Sequence, residues 1–355
     1  MDFKLNSLDL SRLGLNDEIL NIIAELEDYK GNWRAVSSLA PDRLADLRQS
    51  ATIESTGSST RIEGSKLSDQ EVEEIFTRLK QKSFKSRDEQ EVAGYAYLAK
   101  EIFENYTNMP LTENLIKQLH GMLLKYSDKD DRHRGDYKKF PNHVEAYDHT
   151  GKSLGVVFET VTPFETPYKM QELVYWARTN LDDKAMHPLL VLAVFIVVFL
   201  AIHPFQDGNG RLSRLLTTFL LLKSNFTYVP YSSLENIIEA SKDTYYLALR
   251  RTQQSFTKDD PDYQPWLLFF FRSLRKQKQK LETKVNKESI LGLHLKPIEA
   301  QIVSLLEQHG KLNITRIAEQ LAANRNNVKK HLAVMVKAQQ IKQHGKGRAT
   351  WYTLP

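Results

Sequence analysis

One polar stretch of this sequence brings a base, a carboxylate and two arginines together within twelve residues. It runs from His203 to Arg214 and reads His-Pro-Phe-Gln-Asp-Gly-Asn-Gly-Arg-Leu-Ser-Arg. The histidine can take up a proton near neutral pH, and Asp207 offers the hard oxygen that Mg²⁺ uses beside phosphates. Arg211 and Arg214 are three residues apart, so on a helix they would share a face and could hold a phosphate. This combination predicts phosphoryl or nucleotidyl transfer.

The segments on either side predict two buried helices that would position these side chains. Leu189 to Ile202 is an unbroken run of fourteen apolar residues, and Leu212 to Leu222 is apolar with a few polar breaks. Pro204 disfavours the α conformation at His203, so the first helix should end there. The two glycines of the turn free its backbone, and the second helix should open with unpaired N–H groups that attract an anion. A simpler interpretation, with a capping histidine and surface arginines, leaves the run of polar and glycine residues unexplained.

The stretch resembles the signature of the Fic family, His-x-Phe-x-(Asp/Glu)-Gly-Asn-Gly-Arg-x-x-Arg, and matches it at every position. The resemblance covers about residues 50–275. It implies a mainly α fold with a helical Fic core and the Mg²⁺-dependent transfer of AMP from ATP to a hydroxyl side chain of a target protein. It also implies that His203 takes the proton of that hydroxyl and that Asp207 holds Mg²⁺. The other residues to which it assigns nucleotide binding are Phe205, which should also anchor the loop in the core, Gly208, Asn209, Gly210, Arg211 and Arg214.

A second short motif lies upstream of this signature. Ser59-x-x-x-Glu63-Gly64 resembles the inhibitory motif (Ser/Thr)-x-x-x-Glu-(Gly/Asn) of the same family. There the glutamate pairs with the second arginine of the signature, here Arg214, and turns it away from the γ-phosphate of ATP. A carboxylate competes with phosphate for one guanidinium, so autoinhibition by Glu63 is physically reasonable. The stretch also reads as a plain polar loop, and a hydrolase that removes AMP with a water held by Glu63 remains an alternative.

Between Gly135 and Thr162 the helical periodicity disappears, and the pattern predicts two strands joined by a turn. The hairpin resembles the β-hairpin flap that holds the modified segment of the target in Fic proteins. We therefore expect residues 142–161 to dock the target protein, whose extended chain could add a strand to the hairpin. The alternative is an ordinary hairpin without a role in target binding.

Three ring side chains could lie either in the core or at a binding site. Tyr245 and Tyr246 resemble the paired tyrosines of the family, and the resemblance implies that Tyr246 lines the adenine pocket by stacking. Alternatively, both rings pack in the core, since aromatic burial is strongly favourable. His120 lies near the apolar stripe of a predicted amphipathic helix, and we interpret it as a packed core residue.

The C-terminal part of the chain reads as a separate module. Three predicted helices and two strands around a basic turn resemble a winged helix-turn-helix domain. Residues 290–355 hold ten basic and three acidic residues, a net charge of +7, whereas the whole chain carries +5. This excess favours DNA as a partner, with the third helix in a major groove, although a protein-binding winged helix is the alternative. The predicted DNA-binding residues are Asn326, Asn327, Lys330, Lys346 and Arg348.

The expected fold is therefore mainly α, a Fic helical core with a β-hairpin flap plus a small C-terminal winged-helix domain. The expected divisions are an N-terminal helical region at 1–110, the core at 111–275, a charged linker helix at 276–289 and the winged helix at 290–355. A DNA-binding regulator with a nucleotide-sensing Fic domain is a third functional hypothesis, and a homodimer would fit paired half-sites.

The composition excludes several classes of protein and of site. The absence of cysteine excludes disulfides, thiolate metal sites and cysteine nucleophiles. The N-terminus has no basic region followed by an apolar core, so no signal peptide is expected. The longest apolar run falls short of the ~20 residues of a membrane span. A cytoplasmic protein is the resulting expectation, and the family resemblance adds ATP and Mg²⁺ as the implied cofactors.

Overall fold

The computed structural model describes residues 3, 5, 8, 10–36, 41–79, 84–147, 153–292, 296–338, 340–345, 347 and 350–354. Within residues 34–36, 41–43, 143–147, 153–159 and 286–292 it describes the backbone alone. The chain forms two compact units, Met1–Leu281 and Glu282–Pro355, and each is described by itself.

The first unit is almost entirely helical. Its helices are α1 (Asp17–Val36), α2 (Pro41–Ile62), α3 (Asp69–Arg78), α4 (Arg87–Asn105), α5 (Glu113–Leu123), α6 (Thr166–Asp182), α7 (Pro188–Ile202), α8 (Asn209–Lys223), α9 (Leu234–Ala240), α10 (Lys242–Ser255) and α11 (Gln264–Gly292), the last of which continues into the second unit. Short 3₁₀ helices lie at Leu10–Leu13, Tyr106–Asn108 and Val229–Tyr231. A single hairpin of β1 (His143–Tyr147) and β2 (Ser153–Glu159) interrupts the helical order.

Helix α7 is the centre of this unit. Every residue from Leu189 to Ile202 is buried, as expected for a helix that is apolar on all sides. Helices α6 and α8 pack against it. The helix ends at Ile202 with His203 as its C-cap, which confirms the end point predicted from Pro204.

Helix α4 passes very close to the end of α5. A side chain on Gly94 would collide with the backbone carbonyl of Leu123, so only glycine allows this approach. Further upstream, Ser68 caps α3 in a capping box with Glu71, as the sequence predicts. These contacts fix the helices that face the turn after α7.

Helix α2 is longer than its composition suggests. The interpretation of residues 55–64 as a polar loop is wrong, because α2 continues to Ile62. The hydroxyls of Thr52, Thr56 and Thr60 donate to carbonyls four residues earlier, at 2.7, 2.8 and 3.0 Å. The polar side chains are thereby satisfied inside the helix, and Ser59 stays fully buried.

The hairpin is antiparallel, as predicted. His143 pairs with Glu159 and Tyr147 with Ser153, and the register shifts twice along β1. The residues just outside its strands, Asn142 and Thr160, lie at its base.

The second unit has its own small core. Helices α12 (Pro297–His309), α13 (Ile314–Gln320) and α14 (Arg325–Lys337) are followed by the strands β3 (Lys342–His344) and β4 (Trp351–Thr353), which pair antiparallel. Its apolar core consists of Ile302, Val303, Leu306, Ile317, Val328, Leu332, Met335, Ile341 and Tyr352. In neither unit does a described helix have the length and apolar character needed to cross a membrane.

Candidate active site

The turn between α7 and α8 places His203 in an unusual backbone conformation. Its φ and ψ angles of 52° and 60° are left-handed, a region that residues other than glycine seldom adopt. The ring Nδ1 lies 3.3 Å from the Leu200 carbonyl oxygen. Since that oxygen only accepts, Nδ1 carries the proton in this contact. Burial, followed by the nearby Lys138 cation, lowers the pKa of His203 to about 4. The ring is therefore neutral at pH 7, and its Nε2 can accept a proton.

Helix α8 begins where the sequence predicts an anion site. Gly208 is its N-cap with φ of 80°, and the first intrahelical bond runs from the Leu212 N–H to the Gly208 carbonyl. The amides before Leu212 consequently lack an intrahelical acceptor and point out of the helix end. The Asn209 side chain is not available to a ligand, because its amide bonds both the N–H and the carbonyl of Phe205, at 2.9 and 2.7 Å.

Phe205 anchors this loop in the core, and His120 supports it. The Phe205 ring is fully buried and stacks on the His120 ring with centroids 3.8 Å apart. His120 Nδ1 accepts from the Gly135 N–H, so Nε2 carries the proton and donates to the Asp207 carbonyl at 3.0 Å. His120 is a buried core residue, as predicted. Its hold on the loop was missed, because no pattern in the sequence links it to the signature.

The predicted metal ligand, Asp207, is one of four charges that alternate in sign. Asp207 pairs with Arg211 at 3.2 Å and with Arg87 at 3.0 Å, and Glu91 pairs with both arginines. Burial alone would raise the pKa of Asp207. Arg211, the Gly208 N–H and Arg87 outweigh it, so the pKa lies below its ordinary value and the carboxylate stays charged. Arg87 and Glu91 were not identified from sequence, because a charged pair at the start of a helix is ordinary.

The donor set fits Mg²⁺ bound together with a nucleotide, but not a metal bound by protein alone. Among the described residues, no three histidine, aspartate or glutamate side chains form a group that could hold a metal ion. Mg²⁺ usually takes one or two carboxylates, with substrate phosphates and waters completing its shell. The Asp207 side chain is one third exposed beside the helix end, so it could serve as that carboxylate.

The predicted inhibitory motif, Ser59 to Gly64, lies directly against this helix end. Arg214 donates to the Ser59 hydroxyl at 2.8 Å, to the Ser59 carbonyl at 2.9 Å and to Glu63 Oε1 at 2.7 Å. The Glu63 carboxylate also fills the space above Gly210, where any side chain would collide with it. Burial opposes the charge on Arg214, but Glu63 more than compensates and raises the pKa of the guanidinium.

A further arginine of the same motif fastens α2 to its neighbours. Arg61 binds Glu239 through two nitrogens, at 2.6 and 3.0 Å, and Asp69 at 2.8 Å. Glu239 lies at the end of α9 and Asp69 at the start of α3, so Arg61 connects three helices two residues before Glu63.

The paired tyrosines have different surroundings. Tyr245 is buried, with its ring 6.0 Å from Trp266 and 5.6 Å from Phe269. Tyr246 is half-buried, and burial together with the Glu63 carboxylate raises the pKa of its hydroxyl. Tyr245 therefore belongs to the core, and the Glu63 carboxylate contributes to raising the pKa of both tyrosine hydroxyls.

The first unit thus brings together all the predicted catalytic, nucleotide-binding and inhibitory residues. The predicted DNA-binding residues lie in the second unit. There Asn326, Asn327 and Lys330 are exposed on α14. Lys346 and Arg348 fall outside the described residues. Most of the predicted docking segment 142–161 is described as backbone alone.

Comparison with known proteins finds similarity to one family over part of the chain. Residues 110–221 match the sequence model of the Fic/DOC family. A probable protein adenylyltransferase of Aquifex aeolicus is 29% identical over 90 residues, which is 25% of this chain and 27% of that protein. The protein adenylyltransferase Fic of Drosophila mojavensis is 34% identical over 64 residues, 18% of this chain and 12% of that protein. The chain therefore spans well under half the length of these relatives.

The similarity of fold extends over more of the chain than the similarity of sequence does. The crystal structure of a Fic family protein from Desulfovibrio desulfuricans G20 superposes with a TM-score of 0.61 at 21% identity. It covers 97% of this chain and 98% of that one. At this identity the similarity establishes the fold alone. The chain thus has a Fic-type helical fold, its residues 110–221 match the Fic/DOC family model, and short segments are similar to proteins named protein adenylyltransferases.

Proposed function

We propose that this protein is an autoinhibited protein adenylyltransferase that transfers AMP from ATP to a hydroxyl side chain of a target protein. The observation that carries the proposal is the turn itself. A neutral His203 with an accepting Nε2 lies beside an open helix end, and Arg211 and Arg214 are buried on that helix. A base next to a phosphate-binding helix end is the arrangement that nucleotidyl transfer needs.

The reaction follows from these positions. His203 Nε2 takes the proton of the target hydroxyl, and the hydroxyl oxygen forms a bond to the α-phosphorus of ATP. The bond from that phosphorus to the bridging oxygen breaks, and pyrophosphate leaves with the electron pair. The amides that open α8 and the Arg211 guanidinium hold the phosphate oxygens. Mg²⁺ on Asp207 and the phosphates would neutralise the charge that develops on the leaving group.

The bond between Glu63 and Arg214 supports autoinhibition. Arg214 is occupied by Glu63 and Ser59, and the Glu63 carboxylate takes the space above Gly210 that a phosphate would need. Two negative groups cannot share that space at low cost. In this state, ATP binds without a productive γ-phosphate contact or does not bind at all.

The test uses the full chain with labelled ATP and Mg²⁺. Wild type, Glu63→Gly and Glu63→Gly/His203→Ala are incubated with a lysate, and proteins are analysed by mass spectrometry. We expect a mass gain of one AMP on the protein itself or on a partner with Glu63→Gly, little with wild type and none with the double variant. Labelling that survives the loss of His203, or no labelling with any variant, would contradict the proposal.

Removal of AMP from a modified protein is the second candidate function. The bond to Arg214 uses Oε1 of Glu63, and the side chain is one third exposed, so the other oxygen could hold a water for attack on the phosphorus. The two functions respond oppositely to one change. Glu63→Gly should raise AMP transfer but abolish AMP removal, which is measured on a target already carrying AMP.

We further propose that the second unit binds DNA through α14 as a winged helix-turn-helix domain. The support is charge and exposure: Asn326, Asn327 and Lys330 are exposed, and α14 has no acidic residue. Lys346 and Arg348, which lie outside the described residues, are proposed as further phosphate contacts, and two copies of the chain could read paired half-sites.

A further inference from the structure

Lys138 is a buried lysine whose partners are all neutral. It is 3% exposed, and its Nζ donates to the Ile202 carbonyl at 3.0 Å, to Asn142 Oδ1 at 2.8 Å and to Thr160 Oγ1 at 2.9 Å. No carboxylate of the described residues forms an ion pair with it. Burial lowers its pKa to about 7. Lysine is seldom buried without a counter-ion, so a specific role is needed to explain this one.

Lys138 bonds to the backbone of the turn between α7 and α8, which carries His203. Besides the bond from Nζ to Ile202, the Lys138 N–H donates to the Pro204 carbonyl at 2.8 Å. Asn142, which itself accepts from Lys138, donates to the carbonyls of His203 and Phe205 at 3.3 and 2.8 Å. Four consecutive carbonyls on both sides of the left-handed His203 are thus held by Lys138 and Asn142.

The same cluster connects the turn to the hairpin. Asn142 immediately precedes β1 and Thr160 immediately follows β2, and Thr160 donates to Asn142 Oδ1 at 2.7 Å. Lys138 binds both residues and therefore joins the two ends of the hairpin to the base in the turn. A target held by the hairpin would be placed relative to His203 through Lys138 and Asn142.

We propose that Lys138 is a positioning residue for His203, whose side chain fixes the strained turn and thereby holds the imidazole where it can accept the proton of the target. This inference rests on the proposed function, because it assigns Lys138 a part in that reaction.

The charges around His203 act in opposite directions on its pKa, which can be measured. After burial, Lys138 is the strongest influence that lowers the pKa of His203, while the carboxylates of Glu63 and Asp207 raise it. Near pH 4, where His203 titrates, Lys138 is fully protonated, because its own pKa is about 7. Removing the ammonium leaves the two carboxylates unopposed, so the pKa of His203 should rise.

The test compares neutral replacements of Lys138 with a matched neighbour. Lys138→Met and Lys138→Gln remove the charge, and Lys139→Met removes the exposed lysine beside it, which pairs weakly with Asp136 at 3.7 Å. The rates are compared in the Glu63→Gly protein, whereas the histidine titration uses the same replacements with Glu63 intact, so that both carboxylates are present. The His203 ring is titrated by NMR with labelled histidine, its signal being assigned from His203→Ala. Initial rates give kcat and the KM for ATP.

We expect both neutral variants to raise the pKa of His203 by about one pH unit and to lower kcat at least about tenfold, with KM for ATP within about twofold. Lys139→Met should match its parent. An unchanged His203 titration with an unchanged kcat would overturn the inference. Failure of both neutral variants to fold would also overturn it, since Lys138 would then be a structural residue only.

The two proposals can fail separately. If the Glu63→Gly parent with Lys138 intact transfers no AMP, the proposed function is wrong. The titration of His203 requires neither ATP nor target, so its outcome still decides whether Lys138 controls the imidazole.

Discussion

Glu63 and Arg214 are 151 residues apart in the chain and form an ion pair of 2.7 Å in the candidate active site. The arginine side chain is 4% exposed and the glutamate 33% exposed, so solvent reaches the carboxylate more easily than the guanidinium. The carboxylate can therefore leave the pair and enter water, whereas the arginine would keep its place for a phosphate. Under the proposed function, this contact would inhibit reversibly.

Replacing Glu63 should activate AMP transfer to a degree that depends on the side chain that replaces it. Glu63→Gly removes the carboxylate and opens the space above Gly210. A hydrogen bond to a charged group contributes about 1.5–3 kcal/mol, so the initial rate should rise on the order of 10- to 100-fold. Glu63→Gln keeps the volume but loses the charge, and it should give an intermediate rate. Equal rates for wild type and Glu63→Gly would show that this pair does not inhibit.

Loosening α2 should also activate the enzyme while Glu63 is intact. Arg61 fastens the end of this helix to Glu239 and Asp69. Because the Arg61 side chain is 22% exposed, each pair should contribute no more than about 1 kcal/mol to stability. Arg61→Met should raise the transfer rate severalfold, less than Glu63→Gly does. Arg78→Met, which removes a longer contact of 3.8 Å to Glu89, is the matched control and should leave the rate unchanged.

Replacing His120 should lower the stability of the folded protein. His120→Phe keeps a ring against Phe205 but leaves the Gly135 N–H and the Asp207 carbonyl without their partner. A buried group that loses its partner costs about 1–3 kcal/mol, so the free energy of unfolding should fall by roughly 2–6 kcal/mol. Urea unfolding measures this loss. A change below about 1 kcal/mol would show that water replaces both bonds.

The order of the main elements could be predicted from sequence, because local rules determine it. An apolar run of fourteen residues can only be a buried helix, and Pro204 fixes where it ends. The capping box at Ser68 is equally local. The helical state of residues 55–62 could not be predicted, because hydroxyl groups that suit a loop can instead bond the carbonyl one turn earlier.

The supporting residues of the site could not be predicted, because distant contacts create their roles. Lys138 and His120 reach the turn across 64 and 87 residues of chain. Neither belongs to a recognisable motif, and a lysine is normally expected in solvent. The signature itself was detectable because its chemistry is contained in twelve consecutive residues.

Acid should destabilise the protein between about pH 6.5 and pH 4. The folded state lowers the pKa of His120 and of His203 to about 4, mainly by burial, whereas an unfolded histidine has a pKa near 6.5. In this window the unfolded chain binds more protons, so stability is full above about pH 6.5 and is lost as pH falls. Each ring contributes on the order of 3 kcal/mol.

Denaturant midpoints measured across this range test the assignment to His120. His120→Phe should lose stability less steeply with acid than wild type does, since one titrating ring is gone. Acid profiles of the same slope for both proteins would mean that other groups control the loss.

DNA binding by the second unit should depend steeply on salt. Each phosphate contact by lysine or arginine adds about 0.9 to the slope of log affinity against log salt concentration. In the full chain, Lys330→Ala should reduce this slope by about one for all sequences if it contacts a phosphate, or relax one base position if it reads a base edge. Asn326→Ala and Asn327→Ala should weaken discrimination by about 1–3 kcal/mol each without changing the slope.

Lys337→Ala is the matched control for these variants, because this lysine is exposed at the opposite end of α14. In a helix-turn-helix, the residues at the beginning of the recognition helix contact the bases, so charge at its far end should contribute little. Fluorescence anisotropy with a random duplex library, followed by sequencing of the retained fraction, measures both affinity and discrimination. Equal effects of Lys330→Ala and Lys337→Ala would indicate a diffuse basic surface. Absence of binding at low salt would instead assign this unit to protein partners.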